Sequence, residues 1–391
     1  MKLSESPTEN KTPIQLSELE TPVLVLDQNT MDRNIGRLQE RLAGFNVTLR
    51  PHVKTNKSAD VAKRIGAPGT PITVSTLKEA EYFLEHGWTD ILYAVGIAAN
   101  KFDHVARLKQ RGAEITVILD NVETAVVLAE YCRESNLSLP VLIEIDTDGH
   151  RSGVQPDAPL LLEIASRLGK SKEVGGAWLA GVMTHAGASY DCETTAEIEA
   201  LAEQERAGAV HAAERLRNAG YPAPVVSVGS TPTAHFARSL EGVTEVRAGV
   251  YVFFDLVMHG LGVCEQSDIA LSVLCTVIGH QKEKGWIITD AGWMAMSRDR
   301  GTSKQKVDQG YGVVCDIDGK PIPGLIMLQA NQEHGIVGHR DDTSLTPMLP
   351  VGTKLRILPN HACATAAQHD SYTVVAGSHT VEAHWPRISG W

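Results

Sequence analysis

Residues 114–146 read EITVILDNVETAVVLAEYCRESNLSLPVLIEID. A β-branched apolar run at 114–120 and another at 141–146 enclose a stretch from Asn121 to Glu134 whose apolar residues recur at i, i+3 and i+4. That is strand, helix, strand, the unit of a parallel sheet whose strands are covered by helices. The rhythm continues outward in both directions. Upstream lie TPVLVLD (21–27), TLRPHVK (48–54), PITVS (71–75) and DILYAV (90–95); downstream lie LAGVMTH (179–185), VVSVGS (225–230) and EVRAGV (245–250). Helix-like segments such as Asn29 to Leu42, Thr76 to His86 and Thr194 to Gly220 separate them. The runs number nine, and if TPVLVLD belongs elsewhere the remaining eight are the number that closes a (β/α)8 barrel. An open doubly wound α/β sheet is the alternative, weakened by the absence of a GxGxxG turn after the first strand.

Near residue 265 the rhythm changes to strands separated by short turns: ALSVLCTVIGHQ, GWIITDAG, GYGVVCDIDGK, GLIMLQAN, TKLRILPN and YTVVAGSHTVEAHW. DIDGK and EKGW read as hairpin turns, because glycine tolerates positive φ there. The expected organisation is a barrel over 28–265 and a C-terminal β domain over 266–391, with MKLSESPTENKT (1–12) unstructured.

Over 391 residues, 43% hydrophobic and 21% charged is globular composition, which excludes extended disorder. Lys+Arg 36 against Asp+Glu 47 leaves −11 with no basic block, so nucleic acid is not the expected partner. No stretch approaches the ~20 apolar residues of a membrane-spanning helix, and the first residues lack the apolar core of a signal peptide. A soluble cytoplasmic protein is the expectation. The six cysteines are scattered with no CxxC, as reduced thiols are.

Four places carry residue types suited to chemistry. Lys54 ends the first of the eight runs, and (β/α)8 barrels do their chemistry at the C-terminal ends of the strands. A lysine there, close to Arg50, His52 and Lys57, suits a Schiff-base amine, although a solvated strand-end lysine leaves the same signature. EIDTDGHRSGV (144–154) brings Arg151 to another strand end, either to clamp an anionic oxygen or to pair with Asp146 or Asp148 at the surface. In VSVGSTPTAHF (226–236), Gly229, Ser230, Thr231 and Thr233 bridge a strand to a helix start. Amides and hydroxyls there make a cradle suited to phosphate, or Ser230 or Thr231 simply caps the helix. Gly249 and Val250, after the next strand, offer a second set of amides. Finally, His361 and Cys363 of PNHACAT share one face if the segment is an extended strand, and so suit one divalent ion in an open site.

In order along the chain, PHVKT, EIDTDGHRSGV, MTHAGASY, GSTPT, EVRAGVYVFFD, QEHG and PNHACAT resemble the D-serine dehydratase and D-threonine aldolase group of pyridoxal-phosphate enzymes, from about residue 20 to Trp391. That group has the alanine racemase fold, a barrel followed by a C-terminal β domain that the N-terminal strand (here 21–27) joins. The resemblance implies that Lys54 carries pyridoxal 5'-phosphate as a Schiff base and that Arg151 meets its phenolic oxygen. It also implies that Gly229, Ser230, Thr231, Gly249 and Val250 cup the phosphate, with His185 and Tyr190 beside the ring. His361 and Cys363 match the ligands of a divalent metal (Mn, Co, Zn or Mg) in the dehydratase branch, whereas the aldolase branch reads H-x-D.

The implied activity is metal-assisted loss of water from a D-3-hydroxy amino acid, 3-hydroxyaspartate giving oxaloacetate and D-serine giving pyruvate, each with ammonia. Lys54, His361 and Cys363 are the catalytic set. Arg298, Arg300 and Lys304 of SRDRGTSK are candidates to bind the second carboxylate of hydroxyaspartate. Retro-aldol cleavage to glycine and an aldehyde, with Glu333 or His334 as base, is the alternative; a racemase and a non-catalytic pyridoxal-phosphate carrier are further ones. The expected partner is a small amino acid, with no nucleic acid and no membrane, and a homodimer is the assembly considered.

Overall fold

A computed structural model describes residues 13–391 apart from 171, 173 and 174; the opening MKLSESPTENKT lies outside the described residues. The first strand, β1 (Val23–Asp27), is buried at its three central positions and leads straight into the helix Gln28–Phe45. Asp27 caps that helix by accepting the Thr30 amide at 2.9 Å.

Eight parallel strands follow: β2 (Thr48–Leu49), β3 (Ile72–Val74), β4 (Asp90–Gly96), β5 (Glu114–Leu119), β6 (Leu139–Ile145), β7 (Ala177–Thr184), β8 (Val225–Val228) and β9 (Glu245–Val246). They pair in the order β2-β9-β8-β7-β6-β5-β4-β3. The remaining seam, between β2 and β3, is closed by a parallel bridge of His52 with Thr73. There the Val53 amide donates to the Thr73 carbonyl and the Thr73 amide to the Pro51 carbonyl, both at 2.9 Å. Closure makes this a (β/α)8 barrel and removes the open-sheet alternative. The helices sit where the 3.6-residue pattern puts them, among them Leu77–Glu85, Val122–Glu134 and Thr195–Asn218, each started by a Thr or Asn side chain that accepts an amide of the first turn.

The rest of the chain adds β10 (Leu271–Gln281), β11 (Trp286–Thr289), β12 (Val313–Cys315), β13 (Pro321–Ala330), β14 (Gly335–His339), β15 (Lys354–Leu358), β16 (Ser371–Val375) and β17 (Ala383–Pro386). These form a nine-stranded sheet with β1, in the order β11-β14-β13-β12-β15-β10-β1-β16-β17. β1 lies antiparallel to β10, Val23 opposite Leu274, and parallel to β16. The turns DIDGK and EKGW place Gly319 at φ 81° and Gly285 at φ 62°. Two details differ from the six runs expected. YTVVAGSHTVEAHW is a hairpin of β16 and β17, and GIVGH forms β14, a strand whose two glycines hide the alternation that marks a half-buried strand.

One apolar cluster runs through both sheets, joining Ile143 and Val182 of the barrel to Leu24, Val273 and Ile357 of the second sheet. The two sheets are therefore fixed against one another, and that contact walls the site. Among the described residues no helix is long and apolar enough to cross a membrane.

Candidate active site

The C-terminal ends of the barrel strands open into a cavity of about 430 Å³ whose opposite wall comes from segments flanking the second sheet. Lys54, Arg151, His185, Tyr190, Gly229, Ser230, Thr231, Gly249, Val250, His361 and Cys363 all line it. Residues from six separated stretches of sequence thus meet at one place.

Lys54 stands in the turn that follows the His52 bridge, since regular pairing of β2 ends at Leu49. Its neighbour Lys57 is committed elsewhere, with Nζ 3.2 Å from Oε1 of the fully buried Glu79. Opposite Lys54, Gly229 adopts φ 142°, and a Cβ there would lie 2.0 Å from the Arg247 carbonyl oxygen. A Cβ on Gly249 would come within 2.7 Å of Thr55 Oγ1 and 3.0 Å of the His52 carbonyl. Both glycines let backbone approach backbone where a side chain does not fit.

Ser230 does cap the helix Thr231–Phe236, its Oγ accepting the Thr233 amide at 3.2 Å, and it also meets the Ser189 hydroxyl at 2.8 Å. Thr231 Oγ1 and His52 Nδ1, by contrast, are buried polar atoms with no partner among the described residues. Leaving such atoms unpaired costs about 1–3 kcal/mol each, and a phosphate in the cradle supplies Thr231 with an acceptor. The residues present therefore fit a bound pyridoxal phosphate.

His185 donates Nδ1–H to the Gly229 carbonyl at 2.9 Å, which leaves Nε2 without a proton in the neutral ring. Burial, reinforced by the charges of Lys54, Arg247 and Arg151 and opposed by the Gly229 bond, pushes this imidazole down to about 3. Burial pushes the Tyr190 phenol up, so it stays protonated. Arg247 is locked inside the barrel, Nη1 on Ser227 Oγ at 2.6 Å and Nη2 on the Thr184 carbonyl, while Ser227 donates to Glu245 at 2.6 Å. Glu205, buried on the helix Thr195–Asn218, accepts the amides of Ala186 at 3.0 Å and Gly229 at 2.9 Å with one oxygen. It ties the two loops that carry His185 and the cradle. Arg151 stands at the mouth, its side chain 60% exposed, and its acidic neighbour is Glu144 at 3.5 Å, not Asp146 or Asp148.

The expected geometry of the His361–Cys363 pair needs correction. β15 ends at Leu358, and His361 is the N-cap of a short helix, Ala362–Ala366, that contains Cys363. The alanine-rich ACATA prefers helix to strand, and the first turn brings both side chains to the cavity. His361 donates Nδ1–H to Asp299 Oδ2 at 2.8 Å, and Cys363 Sγ is hydrogen-bonded to the Thr55 hydroxyl at 3.3 Å. Burial works against a thiolate, but His361, Thr55 and Lys54 together pull the Cys363 thiol below its ordinary value. Burial instead holds Cys264, Cys275 and Cys315 far up as inert thiols. Among the described residues no cluster of three or more His, Cys, Asp or Glu is placed to hold a metal. An imidazole and a softened thiol fit a divalent ion with open positions for water or substrate.

Several other expectations fail. Arg298 stacks on Trp293, Arg300 pairs with Asp308 at 2.7 Å and lies over Tyr311, and Lys304 is exposed; none lines the cavity. The loop SRDRGTSK instead turns Asp299 and Gly301 inward. Glu333 and His334 are exposed and also outside the cavity. Missed by the sequence reading are Arg247, Glu205, Asp255 and Asp299. Arg247 had a signal, a charge inside a run that must be buried. Glu205, flanked by Glu203, Gln204 and Arg206 on an amphipathic helix, had none.

Comparison with known proteins agrees with this fold. The family model of the alanine racemase N-terminal domain matches residues 26–257, and that of the serine dehydratase domain matches 270–375. The chain is 55% identical to D-threo-3-hydroxyaspartate dehydratase of Delftia sp. strain HT23, over 96% of this chain and 99% of that one. It is 30% identical to D-serine dehydratase of Dictyostelium discoideum, over 96% of this chain and 100% of that one. Among solved structures, a cysteine-to-alanine mutant of D-threo-3-hydroxyaspartate dehydratase in its metal-free form superposes with TM-score 0.93 at 55% identity, covering 97% of this chain and 100% of the other.

Proposed function

The chain belongs to the alanine racemase-fold family of serine dehydratase-like lyases, and on that premise we propose that it removes water from D-threo-3-hydroxyaspartate, giving oxaloacetate and ammonia. The observation that carries the reading is that Lys54 and the His361–Cys363 pair open on one cavity, so a single small substrate reaches both. Identity of 55% to a dehydratase acting on that substrate supports the choice of hydroxyaspartate.

Pyridoxal phosphate bound at Lys54 supplies an electron sink at the substrate's α-carbon, and a divalent metal at His361 and Cys363 supplies a Lewis acid for the leaving hydroxyl. Once the substrate's amine has taken its place on the cofactor, the freed Lys54 Nζ would take the α-proton. Ser230, Thr231 and the backbone at Gly229, Gly249 and Val250 hold the phosphate at the far end, and Arg151 meets an anionic oxygen at the mouth. Neutral His185 and protonated Tyr190 line the ring side without adding a charge that competes with the electron sink. Hydroxide leaves the β-carbon, and the enamine released takes up one water to give the oxo acid and ammonia.

The experiment is incubation of the enzyme with D-threonine, D-serine and both 3-hydroxyaspartate diastereomers, with and without a chelator. Chelator-sensitive ammonia and oxaloacetate, fastest from the D-threo isomer, support the reading. Glycine released from D-threonine faster than ammonia from any hydroxy acid overturns it. A homodimer belongs to the same proposal: Met294 and Val307 are exposed apolar residues on either side, in sequence, of the loop that carries Asp299, and the mass in solution tests whether a second copy covers them.

A further inference from the structure

The three letters H-x-C do not say which imidazole nitrogen faces a metal. The surroundings of His361 do. Its Nδ1 lies 2.8 Å from Asp299 Oδ2, and an ionised carboxylate has no proton to give, so Nδ1 carries the hydrogen and the lone pair of Nε2 is left for a cation. Asp299 is itself fixed. Its Oδ1 accepts the Gly301 amide at 2.7 Å, and its carbonyl accepts from Asn360 Nδ2 at 3.2 Å. Asn360 directly precedes His361, is buried, and also donates to the Gly310 carbonyl at 2.8 Å while accepting the Thr302 hydroxyl at 3.2 Å. Loop 299–302 and the ligand segment are therefore joined twice, once through the imidazole and once through the side-chain amide of Asn360, the residue before it.

Asp255 also reaches this segment, but differently. Its two oxygens accept the amides of Met258 at 3.0 Å and Ala362 at 2.9 Å, so it anchors the helix start and leaves the ring free to turn. Asp299 instead accepts from the imidazole Nδ1 itself, and the other side chain that meets the ring is Cys363, its partner ligand in the proposed site.

We propose that Asp299 is a positioning residue of the metal centre, which fixes His361 in the tautomer and ring orientation whose Nε2 binds the divalent ion. The inference rests on the reading of His361 and Cys363 as the metal ligands. Carboxylates in this outer position hold the ring against rotation and raise its basicity, and removing one costs about 10–100-fold in metal affinity. The acidic residue of SRDRGTSK, and not its basic neighbours, is then the part of that loop that serves the reaction.

The test uses full-length holoenzyme carrying D299A, D299N or H361A. Affinity for Zn(II) is read by competition with a chromophoric chelator, the absorption of Co(II)-substituted protein reports ligand geometry, and the cofactor absorbance checks that the site is folded. D299A should weaken Zn(II) binding about 10–100-fold and alter the Co(II) spectrum while the cofactor band stays. D299N, whose side-chain oxygen still accepts from Nδ1, should recover part of that affinity. H361A should abolish tight binding. Wild-type affinity in D299A together with loss in H361A overturns the inference and leaves the ligand reading standing. Wild-type affinity in H361A overturns the ligand reading first. Loss of the cofactor band in D299A makes Asp299 a residue of the fold at large and also ends the inference.

Discussion

The two walls of the cavity are built by different means. On the barrel side the backbone is the material: Gly229 and Gly249 pack against the main chain of Arg247 and His52, and strand-end loops close round a cradle of amides and hydroxyls. On the side of the second sheet, the His361–Cys363 segment is held by side chains sent from three distant stretches, Thr55, Asp255 and Asp299. The barrel wall is thus intolerant of added volume. The other wall is intolerant of lost polarity, and on the proposed reading damage to each should cost a different cofactor.

The largest effect should come from Lys54→Ala. Removing the base at the α-carbon costs about 10²–10⁴-fold in ammonia release, and the cofactor absorbance with its borohydride-fixed label should disappear. Pyridoxyl label on Lys57 in the wild-type protein breaks the comparison, because Lys57 is held by Glu79 outside the cavity. Next comes Cys363→Ala, which deletes one of two ligands. Since loss of an outer partner alone costs up to about 100-fold in metal affinity, loss of a ligand should cost at least that, with turnover falling in parallel. Here the cofactor band should persist, and metal analysis after dialysis checks the loss. A variant that keeps its metal but sheds its cofactor reverses the roles assigned to the two walls.

The same division explains what could be read from the sequence. Strand ends announce themselves locally, so Lys54, the Gly229–Thr231 cradle and Gly249–Val250 were all visible as short stretches following apolar runs. Their alternatives were not excluded by sequence, and Ser230 shows why: it caps a helix and lines the cavity at once. At His361–Cys363 the residue types were right and the local conformation wrong, although alanines at 362, 364 and 366 carried the helical preference. Asp299 and Asp255 were out of reach, because each acts on a partner more than 60 residues away, and the basic neighbours of Asp299 suggested a carboxylate-binding loop instead. Strand β14 was lost for a smaller reason, two glycines in five residues.

Gly229→Ala probes the barrel wall by volume alone. An alanine at φ 142° with its Cβ 2.0 Å from a carbonyl oxygen has to move the strand-to-helix turn, which should destabilise the protein by about 1–3 kcal/mol. That shows as a Tm lower by roughly 2–4 °C per kcal/mol, accompanied by weaker pyridoxal-phosphate binding in a titration of the cofactor-free protein. Metal affinity should be close to wild type, and a metal site that weakens as much as the cofactor site removes the distinction between the walls.

The smallest effect separates two histidines, one on each wall, by the sign of a pH dependence. His185, on the barrel side, is held neutral by burial and by the charges of Lys54, Arg247 and Arg151, with its imidazole pushed down to about 3. Its ordinary value is about 6.5, so below that pH the unfolded chain binds a proton that the folded one refuses, and stability falls as the pH falls. His361 moves the other way. Although burial disfavours its charge, Cys363 and Asp299 raise it, so in metal-free protein its contribution is fully present below its ordinary value and is lost only as the pH rises through the raised one. Loss of stability on acidification therefore does not come from His361, whose shift has the opposite sign. Between pH ~6.5 and ~5.5 a group shifted this far costs about 1 kcal/mol, to which the buried His52 and His235, also pushed down, add their own share. His185→Asn keeps a donor for the Gly229 carbonyl without keeping a titrating ring, so urea unfolding of chelator-treated protein at the two pH values should show a fall smaller than wild type by about 1 kcal/mol. An equal fall in both proteins means that His185 is protonated in the folded state, and the barrel wall then carries a positive charge beside the cofactor ring that the proposed mechanism does not allow.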